Sequence, residues 1–92
     1  MTVGNLQNGI SKLINTATTT AVKATQGSMI GIFCTSSTAG TVAIYDDPST
    51  TNNKVLDTTT LAAATYYPLP ISMANGMTIV TGGTINIAVI YN

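Results

Sequence analysis

"TINIAVIYN", residues 84–92, has the clearest structural pattern in this chain. Its apolar and polar side chains alternate, so that one face would carry Ile85, Ile87, Val89 and Tyr91 and the other Asn86, Ala88, Ile90 and Asn92. A period of two predicts a β-strand. Gly82-Gly83 immediately before it is typical of a two-residue hairpin turn, which would join this strand to "MTIVT" at residues 77–81.

The same combination of strands and turn residues occurs earlier in the chain. "SMIGIFCTSS" (28–37) and "TVAIYDD" (41–47) flank "TAG", and this spacing predicts a second hairpin. Two shorter strand candidates follow at residues 53–59 and 65–72. The second contains Pro68 and Pro70, which have no N–H to donate, so it is predicted to be an edge strand or an extended crossing.

The N-terminal part of the chain has a weaker pattern. "ISKLINTAT" (10–18) and "TTAVKATQG" (19–27) are candidates for one or two strands. Ile10, Leu13 and Ile14 also fit the spacing of a short helix, but the surrounding Asn and Thr residues favour a strand. Residues 1–9, "MTVGNLQNG", are polar and rich in Gly and Asn, and they are predicted to form a flexible N-terminal arm.

Seven or eight short strands at intervals of about 8–12 residues are typical of an all-β antiparallel sandwich or barrel. With 92 residues, the chain is long enough for one domain, which is predicted to span residues 10–92. The alternating apolar positions predict an inward-facing core, which consists of Ile30, Ile32, Val42, Ile44, Ile79, Ile85, Ile87 and Val89.

Charge is scarce in this sequence, with three Lys, three Asp and no Glu, Arg or His, so that charged residues make up 7% of the chain. No basic surface is available to follow a phosphate backbone, and nucleic-acid binding is therefore not expected. The apolar runs are far shorter than a membrane-spanning helix, and the N-terminus does not resemble a signal peptide. The expectation is a soluble protein made in a cytoplasm, without an internal disulfide because Cys34 is the only cysteine.

Such a neutral surface favours a protein that is covered by neighbours in an assembly. Sheet edges are usually protected by charges and prolines, and a net charge of zero removes the repulsion that keeps copies apart. The alternative is a monomer kept soluble by its Thr and Asn side chains.

The adjacent acids Asp46 and Asp47 are the first candidates for a site. The segment "DDPSTTNNKVLD" offers oxygen ligands but lacks the Gly and Glu of a helix–loop–helix calcium loop, although a looser calcium site remains an alternative. We favour a turn in which Asp46 or Asp47 accepts hydrogen bonds from nearby backbone amides. Without His there is no catalytic triad, and Cys34 is interpreted as a buried, unreactive side chain. The sequence therefore predicts no enzyme activity, no catalytic residue, no cofactor and no metal.

Two further patterns have structural interpretations. Gly82-Gly83 is not followed by Lys and Ser or Thr, so it does not form a phosphate-binding loop. The four tyrosines could stack on sugars, but packing at sheet edges is the favoured interpretation; they are Tyr45, Tyr66, Tyr67 and Tyr91.

Three segments carry a resemblance to a known group of proteins: "GSMIGIFCTSSTAGTVAIYDDPS", "VLDTTTLAAATYYPLPISMANGMTIVTGG" and "TINIAVIYN". Together they resemble small all-β virion proteins of tailed bacteriophages, over roughly residues 20–92. The resemblance implies a jelly-roll-like sandwich without catalysis, and it transfers no functional residues.

The function that this resemblance implies is a cement or decoration subunit, which stabilises the phage head. Its partners would be the major capsid protein or other virion proteins and further copies of itself, as a small homo-oligomer. Its location would be the virion, assembled in the host cytoplasm. The alternatives are a head–tail junction or tail component, and a glycan- or receptor-binding β-sandwich.

Overall fold

The computed structural model describes residues 10–92. They contain six strands: β1 Ile10–Ile14, β2 Thr19–Lys23, β3 Gly27–Tyr45, β4 Lys54–Thr60, β5 Thr65–Met73 and β6 Met77–Tyr91. Every strand pairing is antiparallel, which confirms the predicted all-β antiparallel class. Within the described range there is no helix of the length and apolar character needed to cross a membrane. The predicted arm, residues 1–9, lies outside the described residues.

β3 and β6 dominate the fold, with 19 and 15 residues. They pair with each other along almost their whole length, from Met29 opposite Tyr91 to Tyr45 opposite Thr78. The two predicted hairpins are therefore wrong: residues 28–37 and 41–47 continue as one strand, and so do residues 77–81 and 84–91. The described residues form six strands and not the predicted seven or eight.

The predicted turns are bends in this long ribbon. Thr38 pairs with Thr84 and Thr41 pairs with Gly82, so two residues of β3 lie opposite one residue of β6. Ala39 and Gly83 have positive φ angles of 54° and 70° there. A residue without a side chain adopts such angles easily, and an extra residue on one strand bends the ribbon and increases its twist. Gly83 adopts its positive φ without strain, so the Gly82-Gly83 segment permits a bulge as readily as a turn, whereas Ala39 has a Cβ and is less well suited to this region.

The bend divides the sheet into two halves. The β1–β5 half has the strand order β1, residues 87–91 of β6, the first part of β3, and β5. The β2–β4 half has the strand order β2, residues 77–80 of β6, the last part of β3, and β4. β1 is thus a strand as favoured, and β5 is the predicted edge strand because it pairs only with β3 among the described residues.

Both halves bury their inward side chains in one hydrophobic cluster. The β1–β5 half supplies Ile32, Cys34, Ile87 and Val89, and the β2–β4 half supplies Val42, Ile44, Met77 and Ile79. Seven of the eight residues predicted for the core are buried. The exception is Ile30, which is half-buried because the register shifts between Met29 and Gly31 and leaves it in a bulge outside the regular alternation.

Candidate functional site

The Asp46–Asp47 pair lies immediately after β3, and both carboxylates accept hydrogen bonds from backbone amides. Asp47 Oδ1 accepts from Ser49 N at 3.0 Å and from Thr50 N at 2.7 Å, which is the predicted Asx-type turn. Asp46 reaches a different segment: its Oδ2 accepts from Ala74 N at 3.1 Å and its Oδ1 from Asn75 N at 2.8 Å. Asp46 thus connects the end of β3 to the turn between β5 and β6.

These hydrogen bonds determine the electrostatics of the pair. The amides of Asn75 and Ala74 lower the pKa of Asp46, and the amides of Ser49 and Thr50 lower the pKa of Asp47. Asp57 is held elsewhere, in an exposed ion pair with Lys54 Nζ at 3.0 Å. Among residues 10–92, no three His, Cys, Asp or Glu side chains come together to hold a metal ion. The structure therefore gives this corner a clear structural role.

Cys34 is fully buried, as the sequence predicted. Burial raises the pKa of its thiol, and Sγ donates a hydrogen bond to the carbonyl of Ser36 at 3.4 Å. A thiol with a raised pKa in the core lacks the properties of a reactive thiolate.

The four tyrosines do not share one face. Tyr67 and Tyr91 pack against the core, and the Tyr67 hydroxyl accepts a hydrogen bond from Ala62 N at 2.7 Å. Tyr45 lies in the β2–β4 half, with Lys54 Nζ 5.6 Å from its ring centroid. Tyr66 is the most exposed of the four, at 44%, on the outer face of the β1–β5 half.

That outer face carries the most distinctive surface feature of the described residues. Leu13 pairs with Ala88, Ala88 with Phe33, and Phe33 with Tyr66, so the four residues form one row across all four strands. We call them the apolar row. Leu13 is 61% exposed, Phe33 37% and Tyr66 44%. Adjacent strands are about 4.8 Å apart, so the row is about 14 Å long.

The neighbouring row is also without charge. It consists of Ser11, Ile90, Gly31 and Pro68, again in register across the four strands. The Tyr66 ring covers Gly31, because a Cβ added there would lie 2.7 Å from Tyr66 Cζ. Gly31 therefore allows the tyrosine to lie flat along the sheet, which is a known way to shield a glycine in a strand.

None of the six charged residues of the chain lies on this outer face. Lys12, on β1, pairs with the buried Val89 and so belongs to the opposite side of the sheet. The other five lie in the β2–β4 half or its connections: Lys23, Asp46, Asp47, Lys54 and Asp57. The described residues contain no pocket. The apolar row and its uncharged surroundings are the candidate functional element of these residues.

Sequence reasoning did not find this row. Leu13, Phe33, Tyr66 and Ala88 are far apart in the chain, and only the strand register brings them together. One sequence feature did point to an apolar outer face. Ala88 and Ile90 lie on the side of "TINIAVIYN" opposite the core residues, and a side that faces solvent is usually more polar than this.

No protein-family model, curated protein or solved structure matches this chain. Its function is therefore inferred from the residues and from their arrangement.

Proposed function

We propose that this chain is a non-enzymatic structural protein of a tailed-phage particle, a cement subunit that binds the capsid shell and stabilises the head. The observation that carries the proposal is the order of strand pairing, which supports the jelly-roll architecture implied by the sequence resemblance. The scarcity of charge and the neutral outer face support a protein that functions in contact with neighbours.

The jelly-roll interpretation follows from counting β3 and β6 twice, once on each side of their bend, which turns six strands into eight segments. The eight segments are numbered here along the chain. The segments of the β1–β5 half then lie in the order 1-8-3-6, and those of the β2–β4 half lie in the order 2-7-4-5. These two four-stranded orders match those of a jelly roll, a double sheet found in viral capsid and lectin domains, and they support that interpretation.

Two further observations support a double sheet. Inward side chains of both halves belong to one hydrophobic cluster, as they would if the halves packed face to face. The smallest dimension of the domain is 16 Å, which accommodates two sheets packed about 10 Å apart.

Copy number tests the cement assignment against the head–tail alternative. Quantitative mass spectrometry of purified particles of the phage that encodes the chain should find on the order of hundreds of copies per particle for a cement subunit. About a dozen copies or fewer would indicate a component at the portal axis or tail, since those parts are small symmetric rings. Absence of the chain from purified particles would contradict the whole proposal.

A binding experiment tests the stabilising role. Full-length protein should co-sediment with particles that lack it and should raise the temperature at which those particles release DNA. The control is the same protein with particles that already carry a full complement. The protein would have no cement function if it bound empty sites without changing the release temperature.

A glycan-binding function receives no support from the arrangement of the tyrosines, since they lie on different faces. A glycan array with the wild-type protein is the direct test. Saturable binding that Tyr66→Ala abolishes would replace the cement proposal by a receptor-binding function.

A further inference from the structure

The outer face of the β1–β5 half is both apolar and uncharged. It exposes three large apolar side chains in one continuous row, Leu13, Phe33 and Tyr66, and it carries no charge. A contiguous apolar patch of a few hundred Å² on a protein surface is often a functional contact site. The neutral surroundings mean that a partner needs no charge complementarity to bind there.

The edges of the same half are protected against strand addition. Among residues 10–92, β1 and β5 are the outer strands of this half. Lys12 is the central residue of β1, and a second β1 paired antiparallel around it would bring two Lys12 side chains opposite each other, which is unfavourable. β5 contains Pro68 and Pro70, which cannot donate to a new strand. Association through this half therefore uses its face and not its edges.

We propose that this face is a dimer interface, in which two copies of the chain pack their apolar rows against each other around a two-fold axis. The inference does not depend on the proposed function. A second copy is the partner that supplies a neutral apolar surface of the same length. A chain with net charge zero also has no long-range repulsion between copies.

The order of side chains along the row makes it self-complementary. In a two-fold contact, a residue that lies off the axis meets a different residue of the other copy, and that contact occurs twice. With the axis between Ala88 and Phe33, the Phe33 ring packs against the Ala88 methyl of the second copy, and Leu13 packs against Tyr66 of the second copy. The Phe33 ring thus fills the space above the small Ala88 side chain. Leu13 and Tyr66, at the two ends of the row, cover each other.

The size of the face sets the expected strength. A row about 14 Å long and a few residues wide offers on the order of 400 Å² per copy, about half of a standard interface. We therefore expect a weak dimer that dissociates on dilution through the micromolar range.

Sedimentation velocity of the full chain over a range of concentrations tests the dimer. Wild type should shift from monomer to dimer with rising concentration. Phe33→Lys should raise the dissociation constant at least about tenfold, because a charge without a partner would be buried in the contact. Val55→Lys is the matched control. The exposed fraction of Val55, 41%, is similar to the 37% of Phe33, but Val55 lies on β4 in the other half. The Val55→Lys variant should therefore dimerise as strongly as wild type. Melting curves establish that both variants are folded.

A mixing experiment tests the two-fold register itself. Phe33→Lys and Ala88→Asp should each be monomeric alone. An equimolar mixture should form heterodimers, since the introduced lysine of one variant then faces the introduced aspartate of the other, while the second Phe33–Ala88 contact stays intact. A mixture of Phe33→Lys with Ala88→Lys should remain monomeric.

A monomer at all concentrations would overturn the proposal, and so would a dimer that Phe33→Lys leaves unchanged. If wild type were monomeric but Phe33→Lys abolished binding to particles, the face would bind a different protein and the second-copy assignment would be wrong. If the protein failed to bind particles, sedimentation velocity would still test the dimer, because that measurement uses the chain alone.

Discussion

The β1–β5 half and the β2–β4 half are built in the same way and differ on their outer surfaces. Each is four strands wide, each shares β3 and β6 with the other, and each sends its inward side chains into one core. On the outside, the β1–β5 half presents the uncharged apolar row. The β2–β4 half and its connections hold five of the six charged residues and long runs of Thr, such as Thr58-Thr59-Thr60.

A small β domain has one requirement for its core and another for its outer surface. The core needs only apolar side chains at alternate positions, and both halves meet that requirement equally. The outer surfaces carry the charge of the domain, and the two halves share it unequally. The few charges are concentrated on one half, which leaves the other free to be covered by a partner.

Truncation of the shared core should destabilise both halves equally. Ile87 and Ile44 are fully buried, the first in the β1–β5 half and the second in the β2–β4 half. Replacing either by Ala should lower the free energy of unfolding by about 2–5 kcal/mol, because a cavity remains where the side chain was. Chemical denaturation is the measurement. A loss well below about 1 kcal/mol for one of the two would show that the halves do not share one core.

The bend between the halves should depend on Gly83. Its φ is 70°, and an added Cβ would contact the carbonyl oxygen of Ala39. Gly83→Ala should therefore destabilise the fold by about 1–3 kcal/mol. Ala39→Gly is the matched change on the facing strand. It should be neutral or stabilising, because it relieves the positive φ of 54° at Ala39. Equal destabilisation by both changes, measured by chemical denaturation, would mean that positive φ does not determine the bend.

The connection from β1 to β2 crosses from one half to the other, and Thr81 anchors it. The Thr81 hydroxyl donates to Thr16 O at 2.6 Å and accepts from Thr18 N at 3.1 Å, and Thr81 is buried. Thr81→Val should cost about 1–3 kcal/mol, since it leaves both backbone groups without this partner. Thr81→Ser keeps the hydroxyl and should retain most of the stability in thermal unfolding. An undiminished melting temperature for Thr81→Val would show that the connection is held by other contacts.

The Asp46 corner should make stability depend on acid pH. The pKa of Asp46 is lowered in the folded state by the amides of Asn75 and Ala74. Its contribution is therefore complete above the unfolded carboxyl pKa of about 4 and is lost as pH falls through the lower folded pKa. Asp46→Asn should flatten the fall in melting temperature on acidification. Asp57→Asn, which removes an exposed carboxylate, should flatten it less. The same pH profile for Asp46→Asn and wild type would exclude this role.

The local parts of the fold could be predicted from sequence because period-two alternation and turn residues are local properties. The alternation in residues 84–92 identified Ile85, Ile87 and Val89 as core. The two prolines identified β5 as an edge, and the Asp-Pro segment identified the corner. The hairpins at "TAG" and at Gly82-Gly83 were wrong for a physical reason: residues that permit a positive φ serve a turn and a bulge equally well.

The antiparallel β class, most of the core and the scarcity of charge thus follow from local patterns in the sequence. Three features depend on pairing between distant segments: β3 and β6 continue through their bends, Asp46 reaches the amides of residues 74 and 75, and the apolar row comes together across four strands. The physical reason is register. Alternation fixes which side of a strand a residue occupies, but which residues lie beside it depends on pairing between segments that are distant in the chain.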